Sequence, residues 1–264
     1  MEIVAACGFP RSASAAHAGI VPVVLVCLAG VATAAVPPSY ITTFSATENP
    51  ISEAGAWSNI DTTRTRMATA GGRCFGTQVG GAYDDSIAQL TGTWPASVQM
   101  TGTVFRGSTS GIEELELMVR GAQTSTTTTG YEINFAHDGQ YVNVYRWEGG
   151  INLSDFVPLI VENTHSIPGG LSTGDQIRAQ MQGDTITAFY NKGTGWVTVF
   201  TASDTSVGGH AKYASGRPGI GAFKTSGSGA LNQFAFEDLQ VLTCADTNPN
   251  CVFVEDRVFA DGFE

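Results

Sequence analysis

Between Gly111 and Gly149 the chain runs through three consecutive segments, GIEELELMVR, GYEINFAH and QYVNVYRWEG, in which apolar and polar side chains alternate every second residue. A period of two sends successive side chains to opposite faces of an extended strand, so the stretch predicts three neighbouring strands of one sheet. Leu115, Leu117 and Val119 fall on one side, while Glu114, Glu116, Met118 and Arg120 fall on the other. In the third segment Tyr141, Tyr145 and Trp147 share a side and Val142, Val144, Arg146 and Glu148 share its opposite. Only the pairing register decides which of these two sides is core. A sheet whose open face carries carboxylates, a guanidinium and aromatic rings is a platform for a polar ligand such as a sugar chain.

The rest of the chain reads in the same way. Strand patterns recur at 40–44, 86–90, 98–105, 176–182, 185–190, 196–201, 219–224 and 234–242, with Gln182-Gly183-Asp184 and Asn191-Lys192-Gly193 as hairpin turns between them. Residues 62–81 read as loop with short strands, and His137-Asp138-Gly139 reads as a turn. Glycine is abundant, with 32 residues, and charged residues make up only 14% of the chain, which suits short strands and tight turns rather than helices. The expected fold is all-β: one antiparallel two-sheet sandwich over 36–243, followed by a tail at 244–264. A formal net charge of −11 argues against nucleic acid or an anionic membrane as partner, because both would repel it.

Residues 1–35 read as a signal peptide. Arg11 precedes an apolar run at 19–31, and Ala32-Thr33-Ala34 supplies the small residues of a cleavage site. The run contains Pro22 and is shorter than the roughly 20 residues a membrane span needs, so no insertion is expected after cleavage. Export to the cell surface or beyond follows from this reading. Cys7 and Cys27 leave with the leader; Cys244 and Cys251 flank ADTNPN, a turn that favours a local disulfide in an oxidising compartment, and Cys74 is left over.

Three segments carry a resemblance: YITTFSATENPISEAGAWSN, DTITAFYNKGTGWVTVFTASD and RPGIGAFKTSGSGALNQFAFEDLQV. Together they resemble the concanavalin A-like lectin/glucanase jelly rolls, including laminin G-like domains, over residues 40–242. The resemblance implies a jelly-roll sandwich and a choice among sugar binders, glycoside hydrolases, polysaccharide lyases and adhesion modules. The ending VFVEDRVFADGFE is similar to short IFxDGFE tags on exported proteins of some proteobacteria.

The glucanases of that family carry an E-x-D-x-E or E-x-D-x-x-E strand whose last Glu is the acid. Here the comparable run begins at Glu114 and Glu116, and Met118 or Val119 stands at the acid's place, which argues against hydrolysis by the family route. The lyase strands R-x-E-x-R and Q-x-H are absent, although Arg120, His137, Tyr141 and Tyr145 are residues of the right types. The family also implies a structural calcium ion near Asp238, with Glu237 beside it; Asp84, Asp85, Asp246 and Asn248 are further oxygen donors. Gly170 to Gly174 spells GxSxG, but in a Gly-rich loop rather than at a strand-to-helix turn, and no phosphate loop implies a nucleotide cofactor. The resulting expectation is a secreted, non-catalytic carbohydrate-binding protein. Glu114, Glu116 and Arg120 would hydrogen-bond a polysaccharide or surface glycan, and Tyr141, Tyr145 and Trp147 would stack on its rings. A polysaccharide lyase or a diverged glycoside hydrolase is the alternative.

Overall fold

The computed structural model describes residues 39–108, 110–206, 211–225, 230–244 and 252–253. Among these, the strands are β1 (Tyr40–Thr42), β2 (Trp57–Ser58), β3 (Thr65–Thr69), β4 (Cys74–Gly76), β5 (Ser86–Leu90), β6 (Ser97–Arg106), β7 (Glu113–Gln123) and β8 (Thr128–Ala136). They continue as β9 (Val142–Gly149), β10 (Phe156–Pro158), β11 (Gln176–Gln182), β12 (Thr185–Asn191), β13 (Trp196–Ser203), β14 (Arg217–Lys224) and β15 (Phe234–Cys244). Residues 1–38, 245–251 and 254–264 lie outside the described residues, and with them the expected signal peptide at 1–35, Asp246, Asn248, Cys251 and most of the tail at 244–264.

The strands form an antiparallel jelly-roll sandwich. One sheet runs β13-β12-β11-β6-β15-β4, with β1 also on β15; the other runs β10-β9-β8-β7-β14-β5, with β2 on β5. β3 stitches the two together, pairing antiparallel with β4 and parallel with β5 through Thr65↔Ser86 and Arg66↔Ile87. Both expected hairpin turns are present: Gln182 pairs with Thr185 across Gly183-Asp184, and Asn191 pairs with Trp196. Gly183 and Gly193 take positive φ, 56° and 83°, as such tight reversals require.

The core takes the leucine side of β7 and the valine side of β9, the latter being the choice that alternation alone left open. Leu115, Leu117, Val119, Ile133, Phe135, Val142 and Val144 of the second sheet interdigitate with Met100, Ile177, Ala179, Ile186, Phe236, Leu239 and Val241 of the first. Each large apolar side chain so buried contributes about 1.5–3 kcal/mol. With Val142 and Val144 inward, Tyr141, Tyr145 and Trp147 share the opposite face of their sheet with Glu114 and Glu116.

Arg120 departs from the alternation, and this corrects its expected place on the polar face. Val119 pairs with Tyr131 and Ala122 with Thr129, so Arg120 and Gly121 together oppose Gly130 in a bulge. Arg120 adopts φ 53°, and a Cβ on Gly130 would lie 2.8 Å from the Gly121 Cα, so glycine is what allows the strands to close there. The turned guanidinium donates to the carbonyls of Ala96 at 3.1 Å, Tyr213 at 2.8 Å and Gly183, tying loops of both sheets together at one end. A second buried tie joins Arg146 to Asp204 at 3.0 Å, with the Tyr131 hydroxyl donating to the same carboxylate at 2.8 Å.

Two outcomes are expected. Arg120→Ala strands three carbonyls and should lower unfolding stability by about 3 kcal/mol, read as a fall in denaturant midpoint. Burial pushes the Asp204 carboxyl up, but hydrogen bonds from Tyr131, Arg146 and the Ser206 amide outweigh it and hold it below the ordinary carboxylate value. A depressed carboxyl stabilises the fold above its unfolded pKa, about 3.9, and loses that contribution as pH falls through its folded value. Asp204→Asn should therefore be destabilised at pH 7 and show a shallower acid limb in a stability-versus-pH profile.

Candidate functional site

The outer face of the second sheet is built in rows across the strands. Register aligns Gly219, Met118, Glu132 and Tyr145 in one row, Gly221, Glu116, Asn134 and Asn143 in the next, and Phe223, Glu114 and Ala136 in a third. Ile220 points into the core, so Gly219 and Gly221 lie on the carboxylate side, where they make room. A Cβ on Gly221 would lie 2.0 Å from Glu116 Oε2. Asp85 enters from the loop just before β5, and Arg64 from the residue just before β3.

Four carboxyl groups collect on this face. Glu114 accepts from Asn134 Nδ2 at 2.7 Å and from the Tyr141 hydroxyl. Glu116 is wholly buried, and neither of its oxygens has a hydrogen-bond partner; Glu132 Oε2 has none either. One oxygen each from Asp85, Glu116 and Glu132 lie within 4.8 Å of one another. Asp85 is 6% exposed and Glu132 3%, so none of the three is solvated as a free surface acid.

Burial and crowding act on these groups in the same direction. Burial, with the Glu114 charge adding to it, pushes Asp85 up to about 8. Glu114 is pushed up to about 7 by burial alone, against its hydrogen bonds from Tyr141 and Asn134. Glu116 and Glu132 are raised well above the ordinary carboxylate value, first by burial and then by their acidic neighbours. The cationic group that lowers Asp85, Glu116 and Glu132 is Arg64. Its guanidinium donates to the carbonyls of Tyr83 and Gly150, lies 4.4 Å above the Trp147 ring centre, and faces Asp61 Oδ2 at 4.0 Å.

Above the carboxyls opens a cleft of about 240 Å³. Its floor is Asp85, Glu114, Glu132 and Asn134, which are buried; its walls are the partly exposed rings of Tyr83, Tyr145, Phe156 and Phe223, and the exposed Leu153 and Glu162 complete the lining. Phe156, on a three-residue strand paired to β9, packs edge-on to Trp147 at 5.2 Å.

The sequence-derived candidates distribute as follows. Glu114 and Tyr145 line the cleft, and Tyr141 reaches it through its bond to Glu114. Glu116 lies beneath the floor, and Trp147 is buried under Arg64 and Phe156 with no ring face left for a ligand. Arg120 lies at the sheet end already described. His137 packs against Phe234 at 5.8 Å, so Arg120, His137, Tyr141 and Tyr145 do not gather into one group. Asp238 is on the first sheet, where its Oδ1 accepts the Thr103 amide at 3.1 Å. Among the described residues the cluster of three acidic or metal-ligating side chains is Asp85, Glu116 and Glu132, and Asp238 is not part of it. Cys74 is a buried free thiol, pushed up by burial; the expected Cys244–Cys251 bridge falls partly outside the described residues.

Asp85 was among the oxygen donors noted in the sequence, whereas Glu132, Asn134, Arg64 and Phe156 are site residues that the sequence pattern did not single out. Glu132 and Asn134 alternate with Ile133 and Phe135 in GYEINFAH, which was the available signal.

The chain matches no protein-family model, and no curated protein matches it. Among solved structures it is similar to the carbohydrate-binding module CBM66 from Bacillus subtilis (14% identity, TM-score 0.47, covering 67% of this chain and 96% of that one). It is also similar to the CBM2 module of the evolved Dit of Lactobacillus casei BL23 phage J-1 (12% identity, TM-score 0.49, 78% and 96% covered). A glycoside hydrolase family 16 endo-glucanase from Bacteroides ovatus matches at 9% identity and TM-score 0.45, with 77% and 99% covered. These are likenesses of shape, too distant to carry a residue role or a ligand from one protein to another.

The packing of Glu116 over Gly221 is directly testable. Gly221→Ala should cost about 1–3 kcal/mol through overpacking, and Gly221→Ala combined with Glu116→Ala should recover part of that loss. A double-mutant cycle by chemical denaturation gives the coupling.

Proposed function

We propose that this chain binds a glycan in the cleft on the outer face of its second sheet, without cleaving it. The observation that carries the reading is the cleft itself: a rigid sheet supplies a floor of buried hydrogen-bonding groups, and Tyr83, Tyr145, Phe156 and Phe223 flank that floor with partly exposed rings. Sugar rings stack on aromatic faces through their C–H surfaces and present hydroxyls to fixed donors and acceptors, which is the chemistry such a cleft offers. Glu114 and Asn134 are held in place by each other and by Tyr141, so little ordering is left to be done on binding. The acidic floor and the net charge of −11 favour a neutral polysaccharide over one bearing uronates or sulfates. The reading goes with export after removal of residues 1–35, consistent with a ligand met outside the cell.

A second reading, glycoside hydrolysis, is favoured by one observation. Glu132 on β8 stands in register with Met118, and its carboxylate and that of Glu116 have oxygens within 4.8 Å of each other. A neighbouring strand thus brings an acid opposite the methionine of β7, within the roughly 5 Å reach that the carboxyl pair of retaining enzymes requires.

Affinity electrophoresis through gels of neutral and acidic polysaccharides tests the first reading against the second. The expected result is retardation by a neutral glycan, weakened about tenfold or more by Tyr145→Ala or Phe156→Ala, with no new reducing ends. Lack of retardation by every neutral glycan overturns the binding reading. Release of reducing ends that Glu132→Gln abolishes replaces it with hydrolysis.

A further inference from the structure

We infer that Asp85, Glu116 and Glu132 together form a binding site for one hard divalent cation, calcium by size, beneath the floor of the cleft. One oxygen from each residue lies within 4.8 Å of the others, a spread that a single ion with oxygens at about 2.3–2.6 Å spans. The donors are carboxylates alone, which selects oxygen-seeking cations over zinc or copper.

An acidic cluster by itself says little; Glu116 is what turns this one into a site. It is 0% exposed, both of its oxygens lack any donor, and it points into the cluster across the gap that Gly221 leaves open. Buried carboxylates in folded proteins are met by hydrogen bonds, a counter-ion or a metal, because desolvating them unpaired is costly. Glu132 Oε2 is unpartnered in the same way, and Asp85 Oδ1 has only the Gln78 amide at 3.5 Å.

The one nearby guanidinium acting on all three does not close the account. Arg64 directs its N–H groups to the Tyr83 and Gly150 carbonyls and shares its charge with Asp61. Three carboxylates against one shared positive charge leave at least two negative charges, which a divalent ion matches. Asp85 and Glu132 line the cleft, so an ion has an entry path, and its remaining coordination positions face water in the cleft. This site is separate from Asp238, and it does not rest on the glycan reading. A cation held by Glu132 uses the same oxygens that hydrolysis would need, so its presence weighs against the second reading above.

The test is calorimetric titration of the chelator-treated full chain with calcium and, separately, with magnesium, alongside thermal unfolding in each. Expected are one calcium per chain, a melting temperature that rises with calcium, and weaker binding of magnesium. Glu116→Gln and Glu132→Gln should each weaken calcium binding about 100-fold or more, whereas Asp238→Asn, outside the cluster, should bind calcium like the parent chain. Because each Gln removes a charge from a crowded buried group, both variants should be at least as stable as the parent without calcium and gain less from it. Stoichiometric binding that survives Glu116→Gln and Glu132→Gln, or no binding of either ion at millimolar concentration, overturns the inference; the second outcome leaves protons as the groups' neutralising partner.

Discussion

The strict two-residue period of β7, β8 and β9 is the constraint on which the molecule turns. Once Leu115, Leu117, Ile133, Phe135, Val142 and Val144 are committed to the core, the pleat leaves no choice for their neighbours: Glu114, Glu116, Glu132, Asn134, Tyr141 and Tyr145 must all emerge on the other side. Hydrophobic burial therefore fixes the chemistry of a surface it never touches. A slip of one residue in any of these pairings would put a carboxylate into the core and an isoleucine or leucine into the cleft, and the free-energy difference between those arrangements keeps the register single-valued.

What the pleat delivers, a cover then modifies. Arg64, Tyr83, Phe156 and Trp147 close over part of the face, so the acids lie at low exposure rather than in open water. Their pKa values are raised by this burial more than by any single neighbour. The polar surface is consequently a recess with an acidic base and aromatic sides rather than an open platform.

Much of this was legible in the amino-acid order. The strand patterns at 86–90, 176–182 and 219–224 agree with β5, β11 and β14, and the two glycine turns sit where the sequence puts them, since period two and positive-φ glycine are local signals. Glu114 and Glu116 share a face with Tyr141 and Tyr145, as the alternation allows. What escaped was non-local. Arg120 obeys the alternation on paper, yet a bulge opposite Gly130 turns it away, and the one mark of that event within its own strand is the neighbouring Gly121. Phe156 reaches the cleft from a very short strand, Arg64 comes up beside the acids from a loop, Asp85 was legible only as one oxygen donor among several, and Glu132 acquires its meaning only from standing across from Met118. Trp147 illustrates the reverse case: a ring on the right face that the cover seals off.

The seam formed by β3 gives the recess a mechanical dependence on the closure of the whole sandwich. Two parallel pairings, Thr65 with Ser86 and Arg66 with Ile87, bind this short strand to β5, and both partners have a charged residue of the site immediately before them in the chain: Arg64, which acts on the acids, on one side and Asp85, which lines the cleft, on the other. Loosening that seam would withdraw the guanidinium and one carboxyl at once, in opposite senses of charge. The edge at which the two layers are joined is thus also where the electrical balance of the recess is set, and fraying there would be felt by the acids before it was felt by the core.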